Sequence, residues 1–180
     1  MGDNHNKMKD VKELFKKLND ADFNYVVLRN WDNLPDNVEL GPHSDLDLLT
    51  DEPRRLVNLI GAEKTFKEWY RVQHKLTFDD GTFVLIDVRY TGDRYYPLQF
   101  EEDILKGKTL HHRGFYIPSK WDYYWALMYH ALVHKPYLGA DYLIILKGMN
   151  SSLEVSFDSL LIKFDNLERP MDKSVFFRTL

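Results

Sequence analysis

The segment Ser44-Asp45-Leu46-Asp47-Leu48-Leu49-Thr50 carries two aspartates, two positions apart, in an otherwise apolar, β-prone run. On a strand the side chains alternate, so Asp45 and Asp47 share one face and Leu46 and Leu48 the other. Their Cα atoms would lie about 6.5 Å apart, close enough for two carboxylates to converge on one ion. Aspartate is depleted in strands and like charges on one face repel, so the pair calls for a compensating cation. Mg²⁺ fits, because it takes hard oxygen ligands, usually one or two carboxylates together with phosphate oxygens. A third acid, Asp87, sits in Phe83-Val84-Leu85-Ile86-Asp87-Val88-Arg89-Tyr90. That nearly continuous apolar run predicts a strand buried on both faces, where a carboxylate is costly unless paired or metal-bound. Simpler readings stay open. A solvated acidic edge, or a cap on the next turn, would account for the first two acids, and a salt bridge to Arg89 for the third.

A second group lies in Tyr129-His130-Ala131-Leu132-Val133-His134-Lys135. On a helix, His130 and His134 fall on one face, one turn apart. Zinc binding is one reading, but His-Glu-x-x-His is missing and no third ligand is evident. The others are histidines hydrogen-bonded within a core helix, or contact with an anionic substrate aided by Lys135. His111-His112-Arg113 falls on a predicted strand, alternates between faces and reads as surface. Trp121, Tyr123, Tyr124 and Trp125 spread around their helix as core and rim. No P-loop, dinucleotide fingerprint or Gly-x-Ser-x-Gly elbow occurs.

The elements that must position these residues follow from periodicity and punctuation. Val11, Leu14, Phe15 and Leu18 predict an amphipathic helix over 8–19. Residues 24–28 predict a short buried strand, 30–44 a long polar loop, 45–50 a second strand, and Pro53 a helix start. Strands over 70–78 and 82–90 flank the hairpin signal Asp79-Asp80-Gly81. A short helix over 99–105 and a strand over 109–117 come next. Ser119 and Asp122 then start a helix that runs to about 135, where Pro136 stops it. Two further helices are predicted over 138–149 and 153–164; the tail from 169 has no clear pattern. The expectation is an α+β fold: a mixed β-sheet with helices packed on it, then a helical C-terminal part. The organisation expected is an α/β core over 1–97 and a mainly helical part over 98–180, packed as a single compact unit.

Composition narrows the chemistry. The 180 residues suit one domain. With no cysteine there are no disulfides, thiolate zinc sites, iron–sulfur clusters or cysteine nucleophiles. A net charge of −4 gives no general basic footprint, so long nucleic acid is not the expected partner. No apolar run is long enough for a membrane span, the polar first ten residues carry no secretory signal, and a cytoplasmic location is expected. Whether residue 180 is a natural end or precedes another domain stays open.

Taken together, an N-terminal helix and strand, an Asp-x-Asp strand, and a hairpin ending on a lone aspartate resemble the nucleotidyltransferase superfamily (the DNA polymerase beta-like fold). The resemblance covers about residues 8–95. It implies a mixed sheet of that type, with Asp45, Asp47 and Asp87 as the catalytic metal ligands. These would hold Mg²⁺ or Mn²⁺ for attack on the α-phosphate of a nucleoside triphosphate. The family usually has a Gly-Ser or Gly-Gly pair after the first strand; here the position reads Leu28-Arg29-Asn30-Trp31. That brings Arg29 forward as a phosphate ligand, since a guanidinium grips phosphate as a fork. The leucine–arginine strand end and the Tyr-His-x-x-x-His-Lys pattern are similar to a divergent branch associated with surface-polysaccharide biosynthesis, extending the resemblance to about residue 145. The candidate substrate-binding residues are therefore Arg29, Ser44, Arg89, His130, His134 and Lys135. The function implied is a metal-dependent transferase acting on a nucleotide or nucleotide-sugar and a small-molecule or glycan acceptor. A glycosyltransferase using a UDP- or GDP-sugar is the first alternative, and a non-catalytic nucleotide-binding module the second.

Overall fold

A computed structural model describes residues 8–68, 71–135 and 139–153, with side chains to 149. The chain divides into two compact units, Met1–Ser119 and Lys120–Leu180. The first unit thus includes the stretch 98–119.

The first unit is an α+β assembly. Helix α1 (Val11–Asp20) starts where Asp10 accepts from the Glu13 N–H at 2.8 Å, while Glu13 reaches back to the Lys9 N–H at 2.7 Å. Its apolar face, Val11, Leu14, Phe15 and Leu18, is buried. Five strands form one mixed sheet: β1 (Tyr25–Val27), β2 (Leu46–Thr50), β3 (Glu63–Lys64), β4 (Gln73–Thr77) and β5 (Phe83–Tyr90), in the order β1-β2-β5-β4-β3. Only β2 and β5 pair in parallel; the other neighbours are antiparallel. Between β2 and β3 lies α2 (Pro53–Ile60), with proline in its first turn and Gly61 at φ +70° closing it. After β5 come α3 (Leu98–Lys106) and a two-stranded hairpin, β6 (Thr109–Leu110) with β7 (Tyr116–Ile117).

The main core joins Tyr25 and Val27 of β1, Leu46 and Leu48 of β2, and Val84, Ile86 and Val88 of β5 to α1 and to Leu56 and Ile60 of α2. Every second side chain of the central strands is thereby committed to one face, and Asp47 and Asp87 face the other way.

Several expectations need correction. β5 is not buried on both faces: Val84, Ile86 and Val88 are buried, while Phe83, Leu85, Asp87 and Arg89 are half-buried. The predicted strand over 109–117 is a hairpin, and His111-His112-Arg113 form its turn, closed by Gly114 at φ +87°. β3 carried no recognisable signal, being two exposed residues.

In the second unit, α4 (Lys120–Tyr129) packs against α5 (Ala140–Leu153) through Tyr124, Leu127, Met128, Ala131, Leu132 and Leu146. The helix predicted to run to 135 changes pitch: His130–His134 form a π-helical turn that ends at Lys135. The helix predicted over 138–149 is α5, which runs on to Leu153; the rest of the helix predicted over 153–164 and the patternless tail lie outside the described residues. No helix among the described residues is long and apolar enough to cross a membrane.

Candidate functional site

The site is built by strand register. Parallel pairing sets Asp47 directly opposite Asp87, with Leu48 opposite Val88 one step on. Asp45 lies two residues before Asp47 on the same face. One carboxylate oxygen from each of Asp45, Asp47 and Asp87 falls within 4.8 Å of the others. Among the described residues this is the one cluster of three metal-capable side chains. Like charges directly opposite on neighbouring strands are destabilising, so their convergence needs a counter-charge.

Two arginines supply part of it. Arg29, just past the end of β1, donates from Nη2 to Asp47 Oδ1 at 2.8 Å and from Nη1 to the Tyr95 hydroxyl at 2.7 Å. Arg89 lies 3.8 Å from Asp87 and 3.6 Å from Asp93, with its guanidinium 4.0 Å from the Tyr95 ring centre. Compensation is incomplete. Asp47 is fully buried and its Oδ2 has no hydrogen-bond partner, and neither does the buried Nε of Arg89. Burial pushes the Asp47 carboxyl up to about 6; Arg29 opposes the rise, and Asp45 and Asp87 add to it. Burial likewise raises Asp87, with Arg89 opposing and Asp45 reinforcing. For Arg29, burial works against the charge, but Asp47 and Tyr95 outweigh it and hold the guanidinium above its ordinary range.

The donor set suits a hard divalent cation: all oxygen, all carboxylate, with one buried oxygen left without a donor. The unpartnered Arg89 Nε is a donor in want of an acceptor oxygen.

Asn30 takes φ +60°, the left-handed region that asparagine tolerates better than other side chains. The chain therefore turns sharply after Arg29 without glycine. The long loop that follows is tied down: Arg113 donates to the carbonyls of Asp32 and Leu34 at 2.6 and 2.9 Å. At the other end the Gly41 N–H donates to the Phe83 carbonyl at 2.7 Å. Ser44 is buried there, its hydroxyl donating to the Gly41 carbonyl at 2.6 Å and accepting from the Leu85 N–H at 2.7 Å. These bonds make Ser44 a clamp between the loop and β5.

Three residues of the site escaped sequence reasoning. Tyr95 holds Arg29 and Arg89. Asp93 accepts from the Tyr95 N–H at 2.8 Å. Glu101, fully buried on α3, accepts from the Gly92 and Tyr96 N–H groups at 2.7 and 3.0 Å. Glu101 thus fixes the turn that presents Tyr95 to both arginines; its own pKa is raised, chiefly by burial. The bond from Asp93 to the N–H two residues on is an Asx-turn.

His130, His134 and Lys135 belong to the second unit. His130 is buried, and its Nδ1 lies 3.3 Å from the Nδ1 of His134. The two rings meet edge to face at 71°, and His130 also packs on Tyr142. Lys135 is exposed. Comparison with protein-family models, with curated proteins and with solved structures gave no match.

Proposed function

We propose that this chain is a metal-dependent transferase of nucleotidyltransferase type, acting on a nucleotide or nucleotide-sugar and a small-molecule or glycan acceptor. The observation that carries the reading is the pair of buried, unpartnered atoms on one sheet face: Asp47 Oδ2, which asks for a cation, and Arg89 Nε, which asks for an anion. A metal–phosphate group is the simplest ligand that meets both demands. Asp45, Asp47 and Asp87 would hold Mg²⁺ or Mn²⁺, and Arg29 and Arg89 would receive phosphate oxygens. When bound, such a cation neutralises phosphate oxygens and lowers the pKa of an acceptor hydroxyl. Nucleotidyl transfer would join the acceptor oxygen to the α-phosphorus, release pyrophosphate and pass the hydroxyl proton to solvent. Asn30 supports the reading as well, because it supplies the tight turn that the fold family makes with glycine.

Calorimetry with Mg²⁺ or Mn²⁺ and ATP, UTP or a set of UDP- and GDP-sugars tests this. Metal-dependent nucleotide binding, lost in Asp45→Asn, is the expected result. Selective binding of a nucleotide-sugar would move the assignment to glycosyl transfer. Silence towards the cations and every nucleotide would overturn the enzyme reading in favour of a non-catalytic module.

A further inference from the structure

Sharing Asp45 with the triad is a pocket of about 270 Å³, formed by the loop between β1 and β2 together with Leu46 and Val84 from the core side of the sheet. Its polar wall is Asn30, Asn33, Asn37, Glu39, His43 and Asp45. Each carboxamide both donates and accepts, the pattern that matches neighbouring hydroxyl groups. Two carboxylates line the pocket, and among the described residues none of its lining side chains is lysine or arginine. With Asp45 turned to the cation, Glu39 is the carboxylate that an incoming phosphate or carboxylate would meet, and His43 is the one basic side chain of the wall. The volume lies below the roughly 300–1,000 Å³ of clefts that take drug-sized ligands, so the space suits a single ring. The wall is held in place by the Arg113 bonds at one end and the Ser44 clamp at the other.

We infer that this pocket is the acceptor subsite and that it takes a hydroxyl-rich ring of monosaccharide size, neutral or aminated, and rejects anionic sugars. The inference rests on the transferase reading, since Asp45 would hold the cation next to the acceptor hydroxyl. Arginines and acceptor pocket then divide the labour: phosphate on the Arg29–Arg89 side, polyol on the asparagine side.

The test combines two measurements on the full chain. Mn²⁺ binding is followed by electron paramagnetic resonance, and binding of glucose, glucosamine and glucose 6-phosphate by saturation-transfer NMR. Glucosamine is expected to bind at least as well as glucose, and glucose 6-phosphate about tenfold more weakly, the value of one missing interaction. Glu39→Gln should erase the preference for the amine, and Asn37→Leu should weaken both sugars about tenfold. Bound Mn²⁺ should broaden the sugar proton lines in the native chain and not in Asp47→Asn. Tighter binding of the phosphorylated sugar, or sugar binding indifferent to Asn37→Leu, overturns the inference. Mn²⁺ binding without any sugar signal overturns the pocket assignment and leaves the metal site standing. Sugar binding without Mn²⁺ binding overturns the transferase reading, and with it the acceptor role.

Discussion

Asp47 offers the sharpest perturbation, because its carboxyl is fully buried and one of its oxygens has no donor. Its pKa is pushed from 3.8 to about 6. Between those values the fold holds more protons than the unfolded chain, so stability falls as pH rises. The contribution is fully present below about pH 4 and lost once pH passes about 6. A gap of about two pH units at about 1.4 kcal/mol per unit amounts to roughly 3 kcal/mol. For a chain of this length that is on the order of 6–12 °C in melting temperature. Thermal melts in chelator from pH 4 to 7, on the native chain and on Asp47→Asn, read it directly. The variant keeps an oxygen for Arg29 and loses the titration, so the native curve should fall relative to it across this window. Asp87 adds a change of the same sign to both proteins, so the difference reads Asp47 together with its coupling to Asp87. Excess Mg²⁺ or Mn²⁺, at about 100 times its dissociation constant, should then add about 2.7 kcal/mol to the native chain at pH 7. It should add little at pH 4–5, where protons compete for the same oxygens. Parallel native and variant curves in chelator would refute the reasoning, since Arg29 alone would then satisfy Asp47.

Other perturbations separate the parts of the site. Arg29→Met removes one partner of a buried pair and should cost roughly 3–5 kcal/mol at pH 7, less at pH 4–5 where Asp47 takes a proton; melts at both pH values measure it. Glu101→Gln keeps one acceptor for the turn and loses the other, a cost of about 1–3 kcal/mol, seen as faster hydrogen exchange at the Gly92 or Tyr96 amide. Leu48→Ala, at a fully buried core position, should lose about 2–5 kcal/mol without changing Mn²⁺ affinity per folded molecule, measured by denaturant titration and paramagnetic resonance.

Local rules made some of the molecule legible and left other parts out of reach. The Asp-x-Asp strand could be read because alternation is set by the backbone itself, and the leucines between the acids declare which face is core. Asp87 stood out as a charge in an apolar run, although β5 turned out half-open, since no described helix seals its second face as α1 and α2 seal the first. Arg29 was legible as a cation at a strand end, but not its partner: pairing with Asp47 depends on β1 and β2 lying side by side. Tyr95 and Glu101 act through a turn whose position follows from where β5 stops. Arg113 was hidden more deeply, because the loop it ties down lies about 80 residues earlier in the chain. The π-helical turn at His130 had no signal either; such turns are rare and occur mostly as single-turn bulges in α-helices.

The geometry of the three carboxylates is therefore a by-product of how the core packs. Leu46 and Leu48 on β2, and Ile86 and Val88 on β5, fix the register that sets Asp47 opposite Asp87. A slip of one residue would turn Asp87 into the apolar layer and bring Val88 to the site, exchanging every inward side chain for an outward one. The hydrophobic cost of that exchange protects a polar arrangement that is unfavourable in itself. Seen this way, the Ser44 clamp has a definite purpose: by tying the residue before Asp45 to the backbone of β5, it extends the same register beyond the end of β2. Ser44→Ala should leave the core register intact and free the Asp45 end alone. The variant leaves the Leu85 N–H without its acceptor and should lose about 1–3 kcal/mol in chelator; Mn²⁺ affinity per folded molecule should fall as well, and an unchanged affinity would show that the clamp serves only the fold.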